Sequence, residues 1–248
     1  MQTIKVLTPI SELQVIWAYV SLITTLIFLL LLILLHFIKS DINPMWHMVS
    51  EYGIGRYGWI MQAAFFCLAF SCVSITAAVW LQTPTISGKI GLALMLVTAI
   101  GLIIAGFNVT DPINTPKTEM TAQGHMHALG FMIGVPSMTI GVVLISISLR
   151  YNPTLAWARQ PLIWSAQVPW ISIVLMLLTF AILLPKNEGK FGPGVVIGLP
   201  NRLWVLGCCI WLLIAASCII KQNKEELNKK LSDTLVPAGS SVGDPAVR

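Results

Sequence analysis

Charge is what this sequence has least of. Only 10% of its 248 residues are Asp, Glu, Lys or Arg, against about 25% in a soluble domain. With 56% of the chain hydrophobic, too few polar side chains remain to cover a water-facing surface, so a soluble globular fold is excluded. Cysteine motifs are missing too. Cys67, Cys72, Cys208, Cys209 and Cys218 all fall in apolar runs with no CxxC spacing, which argues against a zinc ribbon or a disulfide framework. Each reads as a small buried hydrophobe. No span carries a mid-helix lysine for retinal, and His36 is the one histidine near enough to mid-membrane to be weighed as a haem ligand. The formal charge of +5 includes no basic stripe, and five of the fifteen basic residues lie beyond Ile220. Nucleic acid is therefore not an expected partner.

What the chain has instead is apolar length. A helix needs about 20 apolar residues to cross the hydrocarbon core. Six segments qualify: Val15–Ile38, Gly58–Leu81, Ile90–Phe107, His127–Leu149, Leu162–Leu184 and Leu203–Ile220. The fold expected is all-α, a polytopic transmembrane bundle of about six spans. It divides into an N-terminal segment (1–14), a six-helix domain (15–220) and a polar, disordered tail (221–248). The first apolar run is too long for a signal-peptide core and no small-residue cleavage site follows it, so no removable leader is expected. Pro136 and Pro169 fall inside the fourth and fifth spans and are expected to kink them.

Six spans place both termini on one side, with the loops around Lys89 and Arg150–Arg159. That side carries nine Lys and Arg residues against six on the other, which predicts cytoplasmic termini. All four histidines (His36, His47, His125, His127) then fall at the opposite, outer end, with Glu51, Asp111, Arg56 and Arg202. Ionisable groups at membrane depth usually face a bundle interior or a watered cavity. A polar pocket opening outward is expected.

Three stretches would build it. Ser50-Glu51-Tyr52-Gly53-Ile54-Gly55-Arg56-Tyr57-Gly58 runs into the second span, and on a continuous helix Glu51, Gly55, Gly58 and Gln62 share one face. That face is either pocket lining or a close-packed helix seam. Asn108 to Pro112 closes the third span, and Gly124-His125-Met126-His127 opens the fourth. Here Asp111 is expected to hydrogen-bond and orient the His127 ring. His47, Asp111, His125 and His127 could together supply zinc ligands, but no spacing among them is a zinc motif, so no metal is assigned and the cofactor is left unknown. Finally, Gly198-Leu199-Pro200-Asn201-Arg202-Leu203-Trp204 enters the sixth span. It offers Arg202 as an anion clamp or as a side chain snorkelling to headgroups, with Trp204 as an interfacial anchor.

In this order these stretches resemble the bacterial membrane-protein family catalogued as domain of unknown function 998. The resemblance spans residues 12–220, with Asn108-Val109 where the family carries an aromatic-Pro pair. It implies six helices and an inner-membrane location, and it singles out Ser50, Glu51, Gly53, Asp111, Pro112, His127 and Arg202. The family is distantly similar to eukaryotic six-span proteins of lipid pathways, which suggests lipids by analogy.

The function expected is an intramembrane site for an amphiphile, with membrane lipids as partners and a lipid headgroup or acyl bond as the reacting group. Glu51 or His127 would be the acid/base, Asp111 would orient His127, and Arg202, Ser50 and Gln62 would bind substrate. Ser50 lacks a Gly-x-Ser-x-Gly elbow and is better read as the cap of the second helix. The alternative is a transporter or accessory subunit binding a small solute or partner helix; no internal repeat is visible to support it.

Overall fold

The computed structural model describes residues 9–235. Among them six helices are long and apolar enough to cross a membrane: Glu12–Ile38, Gly58–Val79, Ile86–Phe107, Ala122–Leu149, Pro153–Lys186 and Gly198–Ser232. They are called the first to sixth spans. No strand occurs among the described residues, and the fold is an all-α bundle.

Several spans start earlier than the apolar runs do, because a helix starts where its free N–H groups find an acceptor. Ser11 closes a capping box with Gln14 ahead of the first span. Thr85 Oγ1 accepts from Gly88 N at 3.1 Å, starting the third span at Ile86. Thr121 Oγ1 accepts from Gly124 N at 3.0 Å, starting the fourth at Ala122. Pro136 and Pro169 both sit within helices. The fifth span ends in a π-helical turn, Thr179–Leu183, followed by a last turn, Leu184–Lys186.

One expectation gives way. The second span does not extend back through Glu51. Val49–Gly53 forms a separate 3₁₀ turn, Gly55 and Tyr57 take φ of 70° and 65°, and the helix begins at Gly58. The common face of Glu51, Gly55, Gly58 and Gln62 therefore does not exist. The sixth span's helix continues into the charged start of the tail as far as Leu235; residues 236–248 lie outside the described residues.

The spans pack by small and polar groups rather than by bulk. A Cβ on Gly101 would lie 2.6 Å from Gly130 O, and one on Gly130 would lie 2.6 Å from Gly101 O. The third and fourth spans therefore touch backbone to backbone. Between the first and second spans, Ser71 Oγ lies 2.9 Å from Ser21 Oγ and 2.6 Å from Thr25 Oγ1, all buried. Two buried indoles tie the sixth span to the fourth: Trp204 Nε1 donates to Thr139 Oγ1 at 3.0 Å and Trp211 Nε1 to Ser146 Oγ at 2.8 Å. Trp204 is thus a core residue, not an interfacial anchor. The sixth span is the central one, with 67% of its most apolar window buried against 22% for the fifth.

The connections between the first and second, third and fourth, and fifth and sixth spans share one end of the bundle. This polar end holds the histidines and most of the charged residues singled out above.

Candidate functional site

The polar end is organised by the 3₁₀ turn. Glu51 is buried, and its carboxylate holds that turn in place. Oε2 accepts from Met48 N at 2.9 Å, and Oε1 accepts from Ile113 N at 3.1 Å, in the connection after the third span. The His47 Nδ1 atom lies 3.1 Å from Oε2, and the His47 ring stacks on Trp46 with centroids 3.6 Å apart. From the other side, Asn201 Oδ1 accepts from Val49 N at 2.8 Å, buried. One short turn therefore joins the third and sixth spans at a single level.

Arg202 lies beside that turn. Its Nε donates to His36 Nε2 at 3.0 Å, Nη1 to the carbonyls of His47 at 2.7 Å and Gly198 at 3.1 Å, and Nη2 to the Tyr52 hydroxyl at 3.2 Å. His36 Nδ1 faces Leu32 O at 2.7 Å, so the Nδ1–H tautomer satisfies both ring contacts. The Tyr52 ring packs on His36, centroids 4.8 Å apart. Four of the five guanidinium donors are thus committed to neutral acceptors. That is not a free fork waiting for a planar carboxylate. Lys39, also buried, donates from Nζ to Ile54 O.

Asp111 and His127 do not pair. Asp111 Oδ2 accepts from Thr121 N at 2.8 Å and Oδ1 from Thr121 Oγ1 at 3.0 Å, because the start of the fourth helix presents unsatisfied donors to the nearest carboxylate. The buried His127 ring is oriented by backbone instead. Its Nδ1 meets Asn108 O at 2.8 Å and Ala105 O at 3.3 Å, and Phe65 packs edge-on, centroids 5.7 Å apart. Two carbonyls facing Nδ1 require the proton there. Nε2 is left with a lone pair and no protein partner among the described residues.

That ring lines a cavity of about 70 Å³ between the first, second, third, fourth and sixth spans. On a comparable measure a single water needs about 10–15 Å³, so the space is a narrow slot. Its walls are mainly apolar, with Phe28, Leu68, Leu102 and Val205 among them, and its polar groups are Ser50, Thr98, His127 and Asn201.

The structure brings Glu51, Asp111, His127 and Arg202 to the polar end and links them through neighbouring residues, with no hydrogen bond or ion pair among the four side chains. Ser50 reaches the slot, but it does not cap the second helix, whose start at Tyr57 has no side-chain cap. Gln62 is half-buried and outside the slot lining. His47, Asp111, His125 and His127 each have separate surroundings, and no metal-competent group of three or more ligands exists among the described residues. Sequence reasoning missed Lys39, Tyr52 and Asn201, and it weighed His36 as a haem ligand rather than as a partner of Arg202. The spacing of His36 and Lys39, one turn apart at the end of the first span, was the available signal.

A family model described as a protein of unknown function, DUF998, matches residues 22–217. That stretch contains every residue of the turn, the Arg202 network and the slot. No curated protein and no solved structure matches the chain.

Proposed function

This chain belongs to the DUF998 family, and we propose that it holds the ester end of a membrane lipid's acyl chain, a few methylenes of it, in the slot and uses His127 to cleave that ester bond. The observation that carries this reading is the state of the His127 ring. Nδ1 is fixed by two backbone carbonyls, while Nε2 stays unpartnered in a buried side chain lining the slot. An oriented imidazole with one free lone pair is the equipment of a general base. Ser50, half-buried and lining the same slot, supplies a hydroxyl.

In the reaction, Ser50 Oγ attacks the ester carbonyl and Nε2 takes the hydroxyl proton. The imidazolium returns that proton to the leaving alkoxide, and water then releases the acid by the same route. Glu51 acts as a positioning residue, since both its oxygens accept backbone hydrogen bonds. Asp111 positions the fourth helix rather than the ring. In this reading the polar end faces the outer leaflet.

The test uses the purified protein in vesicles of phosphatidylcholine and phosphatidylglycerol, with released fatty acid read by mass spectrometry. His127→Asn places an amide nitrogen near the Nδ1 position and removes Nε2, so it spares the backbone contacts. Turnover should fall by about 10²–10⁴-fold, the usual scale of a positioned acid/base, and Ser50→Ala should fall with it. Unchanged turnover in His127→Asn sinks the acid/base role. Lipid retained by the wild type without any release would leave a binding or transport protein.

A further inference from the structure

We propose that Lys39 and Arg202 together hold a phosphate-class anion at the polar end of the first and sixth spans. Both cations are withdrawn from water: Lys39 is 3% exposed and Arg202 is half-buried. Neither forms an ion pair among the described residues, where the ion pairs are His47 with Glu51 and Lys221 with Glu225. Their partners are all neutral. Lys39 Nζ has the Ile54 carbonyl, and Arg202 has two carbonyls, an imidazole nitrogen and a phenol. Glu51 does not supply the missing charge, because its oxygens are engaged by Met48 N, Ile113 N and the His47 ring.

A buried charge without a counter-charge is costly, and at Arg202 the cost is compounded. The residue lies within the first turns of the sixth span, which starts at Gly198, where the helix dipole already presents positive potential. Two positive side chains and a helix start thus converge on one loop, residues 47–54, with no carboxylate in contact with either cation. An anion completes this arrangement.

The donors left over identify its class. Lys39 retains two ammonium hydrogens, Arg202 one Nη2 hydrogen, and Tyr52 its hydroxyl hydrogen. These four hydrogens come from three side chains at different angles, not from a planar fork. They suit a tetrahedral oxyanion, which accepts from several directions, better than a carboxylate. The phosphate can come from a lipid headgroup or from solution. The lipid source rests on the acyl-chain reading of the slot, since Asn201 and Ser50, near neighbours of Arg202 and Tyr52 in the chain, line its walls.

The experiment follows the thermal midpoint of the full chain by tryptophan fluorescence. Three media are compared: dodecyl maltoside micelles, which carry no phosphate, the same micelles with inorganic phosphate, and the same micelles with phosphatidylglycerol. The wild type should gain several degrees with phosphatidylglycerol. Lys39→Met removes the charge at similar length, so it should melt above the wild type in micelles without phosphate and below it with phosphatidylglycerol. Arg202→Lys, which keeps the charge and breaks the fork, should melt lower throughout yet keep the phosphatidylglycerol response. If inorganic phosphate alone reproduces the gain, the anion site stands and its ligand is free phosphate. No gain from either source, or an equal gain in Lys39→Met, overturns the proposal. Should Lys39→Met fail to insert, native mass spectrometry of the wild type decides: equal retention of phosphatidylglycerol and of diacylglycerol, which lacks the phosphate, overturns the proposal, and preferential retention of phosphatidylglycerol supports it. Ester cleavage is not read in any arm, so failure of the His127 chemistry leaves these outcomes intact.

Discussion

Asp111 places both carboxylate oxygens on Thr121, and a Cβ added at Gly124 would collide with Oδ2. The carboxylate is therefore wedged against the first turn of the fourth span, where it adds a charge-assisted bond to a helix start already capped by Thr121. Asp111→Asn keeps the shape but removes the charge that assists both bonds to Thr121. It should lower stability by about 1–2 kcal/mol, read as a lower thermal midpoint in detergent, and turnover per folded molecule should change little. Gly124→Ala should cost a similar amount, because the added Cβ pushes the half-exposed Asp111 side chain off Thr121. A large loss of turnover in Asp111→Asn at unchanged stability would return Asp111 to the chemistry.

At the scale of the element, apolar length made all six spans legible, and capping side chains account for most of the residues by which their starts were misplaced. The connection from Lys39 to Tyr57 was not legible in the same way. Its residues fit a helical face as well as a turn, and what decides between them is distant: Glu51 reaches Ile113, and Asn201 reaches Val49. The His127–Asp111 pairing failed for a related reason, since the backbone carbonyls of Ala105 and Asn108 that orient the ring have no sequence signature. Arg202 was found as a residue of interest, while its partners His36 and Tyr52 were separable only in space. The turn's backbone gives a paired test. Tyr57 occupies the left-handed region at φ 65°, so Tyr57→Gly should relieve about 1 kcal/mol, offset in part by loss of the Arg56 contact on its ring, 4.6 Å to the centroid. Gly58→Ala would drive a Cβ into the Gly53 carbonyl oxygen and should destabilise strongly. Thermal midpoints of opposite sign are expected, and a stable Gly58→Ala would mean that the turn opens readily.

For the whole molecule, orientation is the property that gives the site its leaflet. The basic count favours the terminal side as cytoplasmic, so an impermeant thiol reagent applied from outside should label Lys117→Cys and spare Ala156→Cys until the membrane is permeabilised. Both positions are exposed, whereas Asn152, the residue just before the fifth span whose first turns hold Ala156, is buried and would report nothing. The native cysteines are buried or half-buried, and the unsubstituted chain gives the background. The reverse labelling pattern would move the slot's polar mouth to the inner leaflet. The slot itself is walled by the first four spans and the sixth, and the fifth contributes no lining residue. During synthesis the ribosome delivers the sixth span after all the others. Until it arrives, Val49 N lacks Asn201, the Arg202 knot is absent, and His127 looks onto an unfinished wall. The order of the chain therefore keeps the polar end incomplete until the last span is in place, so a nascent protein halted earlier would reach the bilayer with the turn unbraced and the slot open on one side.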